Sequence, residues 1–286
     1  MTQWRPYENK DTYYFLVDSK PAEIVDITKP DTVFCTAFVS TANCFNGVKK
    51  PDLLWFKQYK ECTTLEESKT VLKNVVDLVK NENFQDLYIW VLSSDFSTIE
   101  KNGKEFLYGA EKEVAELKII NDTVQYKGDV FKIDKAKMLI WLNFCLCNMA
   151  TSLVDKTLAW KKKRGVFLLD RLGDSDKRIQ KFMRMITSET SLNKLWNRCA
   201  EDHKIKPLQV GFEFPADKDE NEKFIPASKL MQTSLVDWIV FAAYAVSNGL
   251  ENRDKDFQRM LIEFIDFLEK NNYLKRIHFK GQIKWK

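Results

Sequence analysis

Three aspartates stand where a charge is hard to explain as solvated surface: Asp18 after Tyr13-Tyr14-Phe15-Leu16-Val17, Asp170 after Val166-Phe167-Leu168-Leu169, and Asp237 inside Ser234-Leu235-Val236-Asp237-Trp238. A carboxylate embedded in apolar sequence costs several kcal/mol of desolvation unless something pairs with it. Several such groups converging is how proteins hold hard divalent cations through oxygen ligands. The expectation is a metal-dependent phosphodiester chemistry built on these residues. Ordinary structural roles compete with it. Asp170, with Asp174 and Ser175 behind it, suits a helix N-cap, and Asp18 suits a turn through Ser19-Lys20-Pro21. Asp237 is the hardest to explain that way, because Trp238 and the flanking aliphatics leave it few solvated alternatives. Asp95, after Ser93-Ser94, is a further strand-end acid ranked below the others.

Other chemistries are poorly supplied. The six cysteines include no Cys-x-x-Cys pair, which argues against a zinc ribbon or a thioredoxin-like redox site. With only His203 and His278 present, a histidine-rich zinc site is excluded and a Ser-His-Asp arrangement has little to draw on. Nine glycines form no Gly-x-x-x-x-Gly-Lys-Ser/Thr loop, so ATP-driven P-loop chemistry is disfavoured. A net charge of +4 from 45 basic and 41 acidic residues does not advertise nucleic-acid binding by itself, so local clusters must carry that argument. The final segment supplies one: Lys275, Arg276, Lys280, Lys284 and Lys286 alternate with Ile277, Phe279, Ile283 and Trp285. Lys280 and Lys284 are accordingly candidates for contacting nucleic-acid phosphates, with a lysine-bearing edge strand as the structural alternative. No signal peptide or bilayer-spanning apolar run is visible, and the expected location is cytoplasmic, with no membrane partner.

The elements that must position the acids follow from periodicity. A strand over 12–17, a second apolar run over 23–27 and a long strand over 32–41 predict an antiparallel start. Leu65, Val71, Leu72, Val75, Val76 and Val79 fall at helical spacing over 63–80, with Thr64 and Glu67 as a capping box. A strand over 87–92 stops at Ser93-Ser94-Asp95. The region 97–134 reads as an insertion, with a helical piece around 110–120 and a hairpin across Lys127-Gly128-Asp129. A long helix over 135–163 leads into the strand 166–169, then a helix over 174–188 and a strand over 208–214. Helices over 227–247 and 254–271 and a basic edge strand complete the chain, which reads as one elaborated domain over 1–286.

In that order the elements are three antiparallel strands, a helical stretch, then strand-helix-strand-helix. The chain resembles a divergent member of the ribonuclease H-like superfamily, most of all the uncharacterised bacterial and phage proteins whose first strand ends in Asp-Glu-Ser-Gly. The resemblance is carried by Asp18, Asp170, the segment from Met231-Gln232 to Ala243-Tyr244 around Asp237, and Glu116-Leu117-Lys118. It implies an α/β fold with a ribonuclease H-like mixed sheet, and a nuclease of mobile-element or antiviral setting acting on DNA or RNA. Under it Asp18, Asp170 and Asp237 bind Mg²⁺ or Mn²⁺, Glu116 completes the catalytic set, and Lys118 contacts the scissile phosphate in a two-metal hydrolysis. The chain departs from the pattern in reading Asp18-Ser19-Lys20-Pro21, which loses a carboxylate and places a lysine where a cation would stand. That departure implies an alternative: a catalytically inactive ribonuclease H-like module that binds protein or nucleic acid.

Overall fold

The computed structural model describes residues 12–20, 33–40, 57–81, 89–99, 101, 111–112, 115–121, 123–132, 164–169, 209–213, 217–218, 224–225, 231–249 and 254–278. Within them a mixed six-stranded sheet is built from β1 (Thr12–Lys20), β2 (Val33–Ser40), β3 (Ile89–Asp95), β7 (Arg164–Leu169), β8 (Gln209–Glu213) and β11 (Leu274–His278). Its order is β11-β3-β2-β1-β7-β8. β2 runs antiparallel to both β1 and β3, whereas β7 is parallel to β1, β8 to β7 and β11 to β3. A second, three-stranded antiparallel sheet comprises β4 (Leu117–Ile120), β5 (Thr123–Tyr126) and β6 (Asp129–Lys132). The two short strands β9 (Asp217–Lys218) and β10 (Phe224–Ile225) pair with each other.

Among the described residues, three helices have both ends defined and accompany the sheets: α1 (Leu65–Asn81), α2 (Met231–Asn248) and α3 (Lys255–Lys270). Every residue of α2 from Leu235 to Ala243 is buried. A helix apolar all round has to be covered all round, and α2 accordingly packs on β1 and β2 on one side and on α3 on the other. α3 carries the single stripe expected of an outer helix, with Phe257, Leu261, Phe264, Ile265 and Leu268 buried. Asp254 caps it by accepting from the Asp256 and Phe257 N–H groups at 2.9 and 3.0 Å. In α1 the buried apolar residues are Val71, Leu72, Val75, Leu78 and Val79, while Leu65 is exposed. Half of its expected capping box forms: Thr64 Oγ1 accepts the Glu67 N–H at 3.2 Å. The Glu67 carboxylate turns instead to Lys57 and to the Thr63 N–H and hydroxyl.

Two expectations change. The strand expected to end at Val17 continues to Lys20, so Asp18 lies inside β1 rather than after it. The helical piece expected around 110–120 gives way to β4 from Leu117, because Leu117 and Ile119 alternate at period two and Glu116 ahead of them adopts a positive φ of 66°. The hairpin at Lys127-Gly128 forms as expected, with φ of 47° and 83° at its two central residues. The runs expected over 23–27, 135–163 and 174–188 lie outside the described residues. No helix among the described residues is long and apolar enough to cross a membrane.

Candidate functional site

Side chains alternate along a strand, so Asp18 and Lys20 of β1 project on the same face. α2 lies across that region and brings Asp237, 1% exposed, to it from 217 positions away. Lys20 Nζ donates to Asp237 Oδ1 at 2.7 Å and stands 3.9 Å from Asp18 Oδ2. The other oxygens are also engaged. Asp237 Oδ2 accepts the Tyr59 N–H at 3.0 Å, and Asp18 Oδ1 accepts the Ser19 N–H at 2.8 Å. The structure thus brings Asp18 and Asp237 together around an ammonium.

Tyr59 belongs to a short 3₁₀ turn, Tyr59–Glu61, that α2 holds from two neighbouring positions. While Asp237 takes the Tyr59 N–H, Trp238 Nε1 donates to the Lys57 carbonyl at 2.7 Å. The Tyr59 ring stacks on Phe241 at 3.7 Å between centroids and meets Trp238 edge-on at 5.8 Å. Aromatic packing of this kind makes the backbone donor a fixed part of the site rather than a loop contact. Tyr59 and Lys57 went unanticipated in the sequence, since a backbone N–H or carbonyl recruited from a distant segment leaves no residue-type signature.

Burial pushes the Asp18 carboxyl up, to about 7, against the opposing pull of the Lys20 ammonium and with a further push from Asp237. Burial works on Lys20 in the opposite sense, lowering its pKa, but the Asp18 and Asp237 carboxylates more than offset that and hold it above the ordinary lysine range. The lysine therefore stays charged. One ammonium neutralises one carboxylate, and the second, Asp18, takes up a proton near neutrality.

A two-cation hydrolytic centre needs ionised carboxylate oxygens open to coordination. Here Asp237 spends one oxygen on Lys20 and one on a backbone N–H, Asp18 spends one on its neighbour's N–H, and its last faces Lys20. With Lys20 in place this donor set does not fit Mg²⁺ or Mn²⁺. Among the described residues, no three His, Cys, Asp or Glu side chains gather into a metal-holding group.

The remaining candidates lie elsewhere. Asp170 is outside the described residues; β7 ends one position before it, at Leu169, whose register partner on β1 is Val17, next to Asp18. Glu116 is exposed in the turn ahead of β4, and Lys118 is exposed on β4, so both belong to the three-stranded sheet rather than to the sheet of Asp18. Lys280 and Lys284 are outside the described residues. Asp95 serves as a local cap, accepting from Ser97 Oγ at 2.8 Å and the Thr98 N–H at 2.7 Å. His278 Nδ1 meets Ser93 Oγ at 2.9 Å across the β3–β11 pair, on the exposed edge of the sheet. No protein-family model matches the chain, and no curated protein or solved structure is significantly similar to it.

Proposed function

We propose that this chain is a ribonuclease H-like interaction module in which a lysine ammonium has taken the place of the catalytic cations. The observation that carries the reading is the Lys20 Nζ contact with Asp237 Oδ1 at 2.7 Å beside Asp18. The fold part of the reading is supported by the sheet itself, where three antiparallel strands, β1 to β3, adjoin the parallel pair β7 and β8. The retained acids then have a structural task. Asp237 holds the Tyr59 N–H on α2, beside the Trp238 bond to the Lys57 carbonyl, and Lys20 ties β1 to the Asp237 carboxylate. Folds of one kind host many functions, so keeping the frame does not require keeping the hydrolysis. The partner of such a module is nucleic acid or protein.

The test sets this reading against the hydrolytic one, in which Asp18, Asp170 and Asp237 hold Mg²⁺ or Mn²⁺ and cut DNA or RNA. The thermal midpoint is measured with and without each cation, and single- and double-stranded DNA and RNA are offered in its presence. A module shows no cation-dependent gain in midpoint and no cleavage. Dose-dependent stabilisation, together with cleavage that Asp18→Asn and Asp170→Asn both abolish, replaces the module with the nuclease.

A further inference from the structure

The three-stranded sheet has one face inside and one outside. Leu117, Val124 and Tyr126 are buried, whereas Lys118, Ile120, Val130 and Lys132 are exposed. Register orders the outer face into two rows: Ile120 beside Thr123 beside Lys132, and Lys118 beside Gln125 beside Val130. Each row contains one aliphatic, one neutral polar and one lysine side chain, and no carboxylate stands in either. The lysines occupy opposite corners, about 12 Å apart at the backbone for strands ~4.8 Å apart rising ~3.4 Å per residue. Neither has an ion-pair partner among the described residues. Ile120 and Val130 occupy the other corners and are 45% and 49% exposed. Lys127 adds a third exposed ammonium at the β5–β6 turn, 5.5 Å from the Tyr126 ring centroid.

We propose that this face binds the phosphate backbone of a single-stranded nucleic acid, the lysines meeting phosphates and the two aliphatic corners meeting unstacked bases. Charge complementarity requires a polyanion, since the rows offer ammonium groups and no acid. Aliphatic side chains interleaved with lysines favour a single strand, because a duplex keeps its base faces stacked out of reach. An acidic peptide adding as a strand along β4 is opposed by Glu111, whose Oε1 already accepts the Ile119 N–H at 3.0 Å. The proposal rests on the interaction-module reading and names the partner and surface of that module.

The experiment measures fluorescence anisotropy of short labelled oligo(dT) and oligo(rU) across salt concentrations, beside a duplex and an oligoglutamate of matched length. Wild type binds the single strands most tightly. Lys118→Ala combined with Lys132→Ala weakens that binding about tenfold and lowers the slope of log affinity against log salt by about 1.4, at ~0.7 per phosphate contact. Ile120→Ser combined with Val130→Ser weakens it with the slope unchanged. Lys73→Ala with Lys255→Ala, on other elements, alters neither, and unchanged midpoints establish that all variants fold. Absence of binding, an unchanged slope in the Lys118/Lys132 variant, or equal affinity for oligoglutamate overturns the proposal. Cation-dependent cleavage would instead sink the module reading while leaving this slope intact.

Discussion

Lys20 carries the only ammonium in contact with the buried Asp237 carboxylate among the described residues, so its removal leaves a charge without compensation where only 2% of the Asp237 side chain reaches water. Lys20→Met keeps the stem and deletes the charge. We expect it to cost about 2–4 kcal/mol in urea denaturation, toward the range for breaking a buried ion pair. We also expect Mn²⁺ to restore part of that loss in the variant and none in wild type, since a cation at one hundred times its dissociation constant contributes about 2.7 kcal/mol. A Lys20→Met protein as stable as wild type, or Mn²⁺ stabilising both alike, contradicts the substitution of lysine for metal. Asp18 gives a separate signature in pH. Its carboxyl is raised from 3.8 to about 7, chiefly by burial, so the folded chain holds a proton that the unfolded chain releases. Below about pH 4 both states are protonated and the contribution is full; it is lost as pH rises through about 7. With its side chain 29% exposed, water screens part of the effect, and about 1–2 kcal/mol is expected to disappear between pH 5 and pH 8. Thermal midpoints recorded in chelator should fall over that interval in wild type relative to Asp18→Asn; parallel curves would show that Asp18 is not the group responsible.

At the level of elements, legibility followed how local the cause was. The stripe of α3, the hairpin at Lys127-Gly128 and the strand ending at Leu169 were readable, because periodicity and positive-φ turn residues act within a few positions. The meeting of Asp18 with Asp237 was readable for a physical reason too, since a carboxylate inside an apolar helix has to be answered by something. What answers it was only half readable. Lys20 was readable through the resemblance, as a lysine standing where a cation would, but its place on the Asp18 face follows only from β1 continuing to Lys20, and the Tyr59 N–H comes from a segment that composition does not connect to α2. The same holds where α2 ends. Asn248 accepts the Val33 N–H at 2.7 Å and donates to the Val33 and Tyr244 carbonyls at 2.9 and 3.0 Å, before Gly249 leaves the helix with a φ of 70°. That side chain fastens the start of β2 to the helix covering it. Asn248→Ala should cost about 2 kcal/mol by leaving part-buried backbone groups unpaired, and should accelerate amide exchange at Val33 ahead of the rest of β2. Exchange at Val33 unchanged from wild type would show that the helix does not hold that strand end.

For the whole molecule, the sheet order decides which edge is vulnerable. β11 was readable as a basic edge strand from the mixing of basic residues with Ile277, Phe279, Ile283 and Trp285 over the final segment, yet its partner was not, because parallel pairing joins strands with no local turn between them. In the fold it lies along β3, with Leu274 in the same core cluster as Ile89 and Val91. Arg276 is tied back to Glu269 of α3 by two hydrogen bonds from its guanidinium, which fastens the strand to the helix before it. β3 is buried from Ile89 to Leu92, so stripping β11 would present a long, apolar, unpaired edge. Such edges pair with other chains. Deleting residues 274–286 should therefore convert the protein to soluble aggregates in size-exclusion chromatography with light scattering, with increased binding of a hydrophobic dye. A deletion beginning at 279, which spares β11, should leave the elution unchanged. If the longer deletion elutes as wild type does and keeps its thermal midpoint, β3 is protected by something other than β11, and the edge assigned here to the sheet is the wrong one.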